Sequence, residues 1–121
     1  MRIFFTLGCT FGALGVVLGA FGAHALRATL SPEDLATFEV GVRYQMYHAF
    51  ALIAVAWATT QWQASTVLVA GWAFVIGIVV FSGSLYLLVV SGQRWLGAIT
   101  PIGGLALIIG WALLGWSALR G

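Results

Sequence analysis

Three stretches of this chain carry no charge at all, and their lengths constrain the fold more than anything else in it. Ile3 to Leu26 is 24 residues, Tyr44 to Gln93 is 50 and Trp95 to Leu119 is 25. A bilayer core about 30 Å thick takes roughly 20 helical residues at 1.5 Å each. The three stretches therefore fit one, two and one membrane spans. The 50-residue stretch divides at its one polar run, Thr59 to Ser65. The runs are continuously apolar rather than alternating, which argues against a membrane β-barrel. Only five arginines and three acids serve 121 residues, or 7% charged. A soluble domain carries about a quarter, so a soluble globular domain is excluded, as is a disordered chain. The sequence predicts one all-α domain over residues 1–121. Its spans cover about 3–26, 44–60, 66–90 and 101–119, in an up-down-up-down integral membrane four-helix bundle.

Arg27, Glu33, Asp34, Glu39 and Arg43 cluster between the first two spans. Ser31-Pro32-Glu33-Asp34 predicts a helix start: Ser31 caps, Pro32 suits the first helical position and Asp34 completes a capping box. Leu35, Phe38 and Val42 follow at helical spacing, opposite the polar Asp34, Thr37 and Glu39. This reads as a short amphipathic surface helix over about 32–43, with Glu39 and Arg43 spaced for an ion pair. No breaker separates it from the second span, so one bent helix is the alternative. Ser91-Gly92-Gln93-Arg94 reads as a turn. Thr100-Pro101 either opens the fourth helix, leaving 93–100 interfacial, or kinks a helix begun at Trp95.

In the first span, Gly8, Gly12, Gly15, Gly19 and Gly22 recur at steps of 4, 3, 4 and 3 residues. That average of 3.5 keeps them on one stripe, where helix backbones in lipid can approach closely. The stripe serves either as a seam inside the bundle or as a homodimer contact. Ala23-His24-Ala25 has the form of a signal-peptidase site. The apolar run before it exceeds the roughly 7–15 residues of a signal core, and it is read as a span. Cys9 is the one cysteine, so an intrachain disulfide and a cysteine-based zinc site are excluded. Trp62, Trp95 and Trp116 fall at span ends, the belt position of an indole. Net charge is only +2, which gives nucleic-acid binding no support. With four spans both termini share a side. Arg27, Arg43 and Arg94 on the other side, against Arg2 and Arg120, point weakly to termini outside the cytoplasm.

The spans contain no Asp, Glu, Lys or Arg. The groups able to do chemistry, His24, Tyr44, Gln45, Tyr47, His48, Ser82, Ser84, Tyr86 and Thr100, gather in one leaflet with Arg43 and Arg94 beside them, and all but Gln45 and Tyr47 are candidates for one site. Tyr44 and His48 share a helical face at i, i+4, as do Ser82 and Tyr86. Polar groups in lipid must find partners, so these faces are expected to turn inward as a polar cleft. Four uses are open. The cluster can be a structural hydrogen-bond network. It can bind a lipid headgroup or a small amphiphile, with an anionic lipid or fatty acid favoured by the helix start at Thr100 and by Arg94. It can place two histidines about a metal or haem, although two ligands are too few. Or a histidine can act as base for Ser82 or Ser84. No cofactor, metal or catalytic group is expected. The favoured reading is a non-enzymatic membrane module whose partners are membrane lipids. An oligomeric transporter is the alternative, although proton-coupled export usually relies on an intramembrane carboxylate. An intramembrane His/Ser enzyme is a further one.

Four blocks carry a resemblance: Gly19-Ala-Phe-Gly-Ala-His-Ala-Leu26, Tyr44-Gln-Met-Tyr-His-Ala49, Phe81-Ser-Gly-Ser-Leu-Tyr86 and Leu96-Gly-Ala-Ile-Thr-Pro-Ile-Gly-Gly104. In this order the chain resembles the YgdD-like family of small bacterial inner-membrane proteins, whose eukaryotic relatives are called transmembrane protein 256. The resemblance implies a four-span membrane protein of the bacterial cytoplasmic membrane. The family is a domain of unknown function, so no activity is implied.

Overall fold

The computed structural model describes residues 2–121, and all of its regular structure is helical. We label the helices α1, Arg2–Leu26; α2, Pro32–Ala58; α3, Ala64–Ser91; and α4, Thr100–Arg120, preceded by a 3-10 turn over Arg94–Ala98. By length and composition α1, α3 and the Arg94–Arg120 segment can each cross a membrane. The second expected span is part of α2, which is as long but holds four charged residues together with Gln45 and His48.

The expected surface helix is not a separate element. Nothing between Arg43 and Tyr44 stops the helix, and α2 runs unbroken for 27 residues. At 1.5 Å per residue it is about 40 Å long, some 10 Å more than a bilayer core, and its charges all lie in the first twelve residues. Its start follows the expected chemistry in part. Ser31, extended at ψ 157°, caps by accepting from the Asp34 amide at 3.1 Å, with Pro32 behind it. The Asp34 carboxylate does not close the capping box. It accepts from both terminal nitrogens of Arg94, at 3.0 and 3.4 Å, and ties the 3-10 turn to the start of α2. Among the described residues this is the one ion pair, so Glu39 and Arg43 do not form the expected one. Gly92 ends α3 at φ 74°, a left-handed position that glycine occupies without strain.

Helices adjacent in sequence pack in opposite directions. Along α1, Gly8 faces Ala49 and Ile53, Gly15 faces Met46 and Gly22 faces Phe38 of α2. The glycine stripe is thus a seam within one chain. Along α3, Gly77 faces Leu107 and Phe74 faces Gly110 of α4. Two apolar clusters result, one on Phe4, Leu52, Val55, Val67, Phe74 and Leu107, the other on Ala23, Phe38, Leu88, Val89 and Leu96. On both α2 and α3 the buried polar residues fall between them.

One feature of α1 is absent from the sequence reading. From Val17 to Gly22 the helix widens into a π segment, so that the Ala23 amide reaches back to the Leu18 carbonyl. Such segments are rare and frequently mark functional sites.

Candidate functional site

The polar residues form three separate brackets between helices. The first joins three helices. Tyr86 of α3 donates its phenol proton to Gln45 Oε1 of α2 at 2.7 Å, and Gln45 Nε2 donates to the Phe11 carbonyl of α1 at 2.8 Å. Beside it the Ser82 hydroxyl donates to the Gly41 carbonyl at 2.6 Å. Gly41 is what lets α3 come so close, since a Cβ there would stand 2.8 Å from the Tyr86 ring.

The second bracket joins α2 to α4. His48 Nδ1 lies 2.7 Å from the Tyr44 carbonyl, and Trp111 Nε1 lies 3.0 Å from His48 Nε2. A carbonyl only accepts and an indole N–H only donates. Nδ1 therefore carries the proton and Nε2 the lone pair, which fixes a neutral imidazole in one tautomer. Both nitrogens are occupied. Phe74 packs against both rings, 5.7 Å from His48 and 5.1 Å from Trp111.

The third bracket joins α3 to the start of α4. Ser84 Oγ and Thr100 Oγ1 are 2.6 Å apart, and Ser84 also reaches the Phe81 carbonyl at 2.9 Å. Each hydroxyl has one proton, and the shorter contacts are satisfied when Thr100 donates to Ser84 and Ser84 donates to Phe81. Thr100 is thus used sideways and does not cap α4. Among the described residues no buried side-chain polar atom lacks a partner.

The single polar cleft is corrected at several positions. His24 is exposed, away from His48, and Arg43 is exposed too. Gly22 faces Phe38 and Gly12 faces Ala49, so His24 stands level with the start of α2 while His48 stands level with Gly12, well apart along the membrane normal. Tyr44 is 38% exposed, and its ring covers Phe81 at 4.7 Å. The anion pocket at Thr100 does not form either. Arg94 is held by Asp34, Thr100 by Ser84, and the Ile102 and Gly103 amides bond the Ile99 carbonyl. His48, Ser82, Ser84, Tyr86 and Thr100 are inward as expected, but divided among different contacts. The sequence reading left Gln45 and Trp111 out of the site. Gln45 had a signal: Phe38, Gly41, Gln45, His48, Leu52 and Val55 are buried at steps of 3 and 4. Trp111, 63 residues from His48, had none.

An open space adjoins the first bracket. A lateral groove of about 320 Å³ runs between α1 and α3. Its walls are Leu14, Val17, Leu18, Ile78 and Val79, and Gln45, Ser82 and Tyr86 lie at its base. Val17 and Leu18 belong to the π segment. Gly83 opens the other wall, with nothing within 4 Å of where its Cβ would be.

Comparison with known proteins places this geometry in a family. The family described as "Protein of unknown function (DUF423)" matches residues 18–104, a stretch that contains all four blocks of the sequence resemblance. The UPF0382 membrane protein YwdK of Bacillus subtilis is 44% identical over 121 residues, covering 99% of this chain and 98% of the relative. The UPF0382 membrane protein SH2409 of Staphylococcus haemolyticus is 45% identical over 114 residues, covering 94% and 93%. No solved structure matches the chain.

Proposed function

We propose that this chain, which belongs to the DUF423 family of proteins of unknown function, is a non-enzymatic four-span module that holds one lipid or small amphiphile in a single leaflet. The observation that carries the reading is the groove between α1 and α3, with apolar walls, a π segment on one side and the Gln45–Tyr86 bracket at its base. A lipid-facing groove of this kind suits a hydrocarbon chain. Its base is closed by side chains already bonded to one another, so the chain meets apolar wall rather than open polar atoms.

The brackets support a binding module over an enzyme. Ser82 and Ser84 reach backbone carbonyls, and His48 contacts neither of them. They also count against proton-coupled transport through His48. Its Nε2 accepts from an indole that cannot accept in return, so a proton placed there would set two donors against each other.

Four spans, with both termini outside the cytoplasm of a bacterial cell, complete the proposal. The opposed packing of successive helices supports the up-down order, and Arg27, Arg43 and Arg94 supply the cytoplasmic arginines. Cysteines introduced at the two ends are expected to react with the same membrane-impermeant reagent on intact cells. Labelling of only one end would mean that a helix fails to cross.

The groove itself is tested with a photoactivatable lipid analogue incorporated into growing cells. Crosslinks are expected on peptides containing Leu14 to Leu18 and Ile78 to Gly83, and Gly83→Trp is expected to remove them. Gly83 lines the groove and a Cβ there meets nothing within 4 Å, so the new ring has an opening into the groove, and an unchanged melting temperature verifies that the helices still pack. Crosslinks spread evenly around all helices, and unchanged by Gly83→Trp, would refute the site.

A further inference from the structure

We infer a second lipid contact, at the opposite end of the molecule from the Arg94–Asp34 pair: a site for the phosphate of an anionic phospholipid headgroup, centred on Arg120. It is independent of the groove between α1 and α3. A cavity of about 320 Å³ opens there, lined by Gln63, Thr66, Trp116, Ser117, Arg120 and Gly121. Arg120 is exposed and its guanidinium lies 5.6 Å from the centre of the Trp116 ring. The chain's three acids all belong to the first turns of α2, and no ion pair among the described residues involves Arg120.

The donor set fits phosphate. A guanidinium offers parallel N–H groups that match two phosphate oxygens, and the Trp116 face steadies it without consuming those donors. Thr66 and Gln63 add a hydroxyl and an amide. Neither side chain hydrogen-bonds another described residue, so both are available. Ser117 is different: it lines the cavity but gives its proton to the Leu113 carbonyl at 2.9 Å. Trp116 and Trp62 mark this end as the level where indoles meet headgroups, which is where a lipid phosphate lies. Arg94, at the other end, makes a natural control, because Asp34 pairs with its charge.

The test uses the full chain. It is reconstituted into vesicles of phosphatidylcholine with and without phosphatidylglycerol, then released into mild detergent for native mass spectrometry. The wild type is expected to retain phosphatidylglycerol in preference to phosphatidylcholine. Arg120→Gln is expected to reduce that retention roughly five- to tenfold, and Thr66→Val by a smaller factor, while Arg94→Gln leaves it unchanged. Both Arg120 and Thr66 lie outside the buried core, and an unchanged melting temperature verifies that each variant folds. Equal retention by Arg120→Gln and wild type overturns the inference, as does an equal loss in Arg94→Gln, which would indicate nonspecific charge attraction. Stabilisation of lipid-free protein by inorganic phosphate, without preference for phosphatidylglycerol, would assign the site to the free ion and overturn the lipid.

Discussion

Gly103→Ala is expected to lower the stability of the protein by about 2–3 kcal/mol, as an overpacked contact does. A Cβ at Gly103 would lie within 3 Å of the backbone of Phe81, 2.8 Å from its Cα. Backbone cannot rotate aside as a side chain can, so α3 and α4 must separate. In lipid there is no hydrophobic drive to restore the contact, and close packing itself supplies the attraction. The loss propagates to the Ser84–Thr100 bracket, which spans the same pair of helices. Gly83→Ala and Gly115→Ala are the matched controls, since nothing lies within 4 Å of either new methyl. They should be neutral or should stabilise by up to about 1 kcal/mol through helix propensity. Thermal unfolding in detergent, read by loss of the monodisperse species, distinguishes them. Equal behaviour of all three variants would mean that α3 and α4 do not approach as described.

Gln45→Leu is expected to cost about 2 kcal/mol. Individual hydrogen bonds within membrane bundles average only about 0.6 kcal/mol, so two lost bonds alone would give little more than 1. The larger effect comes from what remains: the half-buried Tyr86 phenol, left without its acceptor, while the Phe11 carbonyl keeps its bond within α1. This makes the second substitution informative. Tyr86→Phe added to Gln45→Leu removes the orphaned phenol, so the double variant should be no less stable than Gln45→Leu alone. Strict additivity of the two losses would show that the Tyr86–Gln45 contact is not energetically coupled.

Much of the helical plan was legible because it follows from one-dimensional signals. Charge-free lengths locate the long apolar helices, Ser31-Pro32 marks the start of α2, Gly92 marks a turn, and Thr100-Pro101 opens α4. Each rests on local chemistry: desolvation of charge, a side chain capping an amide, a residue tolerant of positive φ, a residue without an N–H. The π segment at Val17–Gly22 was not legible, because the glycines that permit it also read as an ordinary packing stripe. Nor was the level of His24. Along the antiparallel pair Gly12 faces Ala49 and Gly22 faces Phe38, so His24 lies at the level of the start of α2, about 15 Å from the level of His48, a register that only the packing of α1 on α2 sets. On α2 the i, i+4 pairing of Tyr44 with His48 drew attention from the 3 and 4 spacing that buries Gln45. The partnership of His48 with Trp111 depends on α2 and α4 meeting in space, and no local pattern records that.

These corrections redirect the chemistry. A cleft with two histidines and two arginines would favour an anionic ligand near Arg94. The observed arrangement uses Arg94 in an ion pair and His48 as a neutral bracket. The open space lies elsewhere, along the π segment, where the walls are apolar. The polar residues bridge the helices, and the groove beside them has apolar walls.

Occupancy of the groove between α1 and α3 by a lipid or amphiphile is decided by native mass spectrometry of protein released gently from its own membrane. Wild type and Gly83→Trp are compared at matched melting temperature. One amphiphile is expected to stay on the wild type, to be lost in Gly83→Trp and to be preserved in Gly115→Trp, which fills a different apolar groove, between α2 and α4. An adduct equally abundant on all three proteins, or absent from the wild type under conditions that preserve its fold, would contradict it.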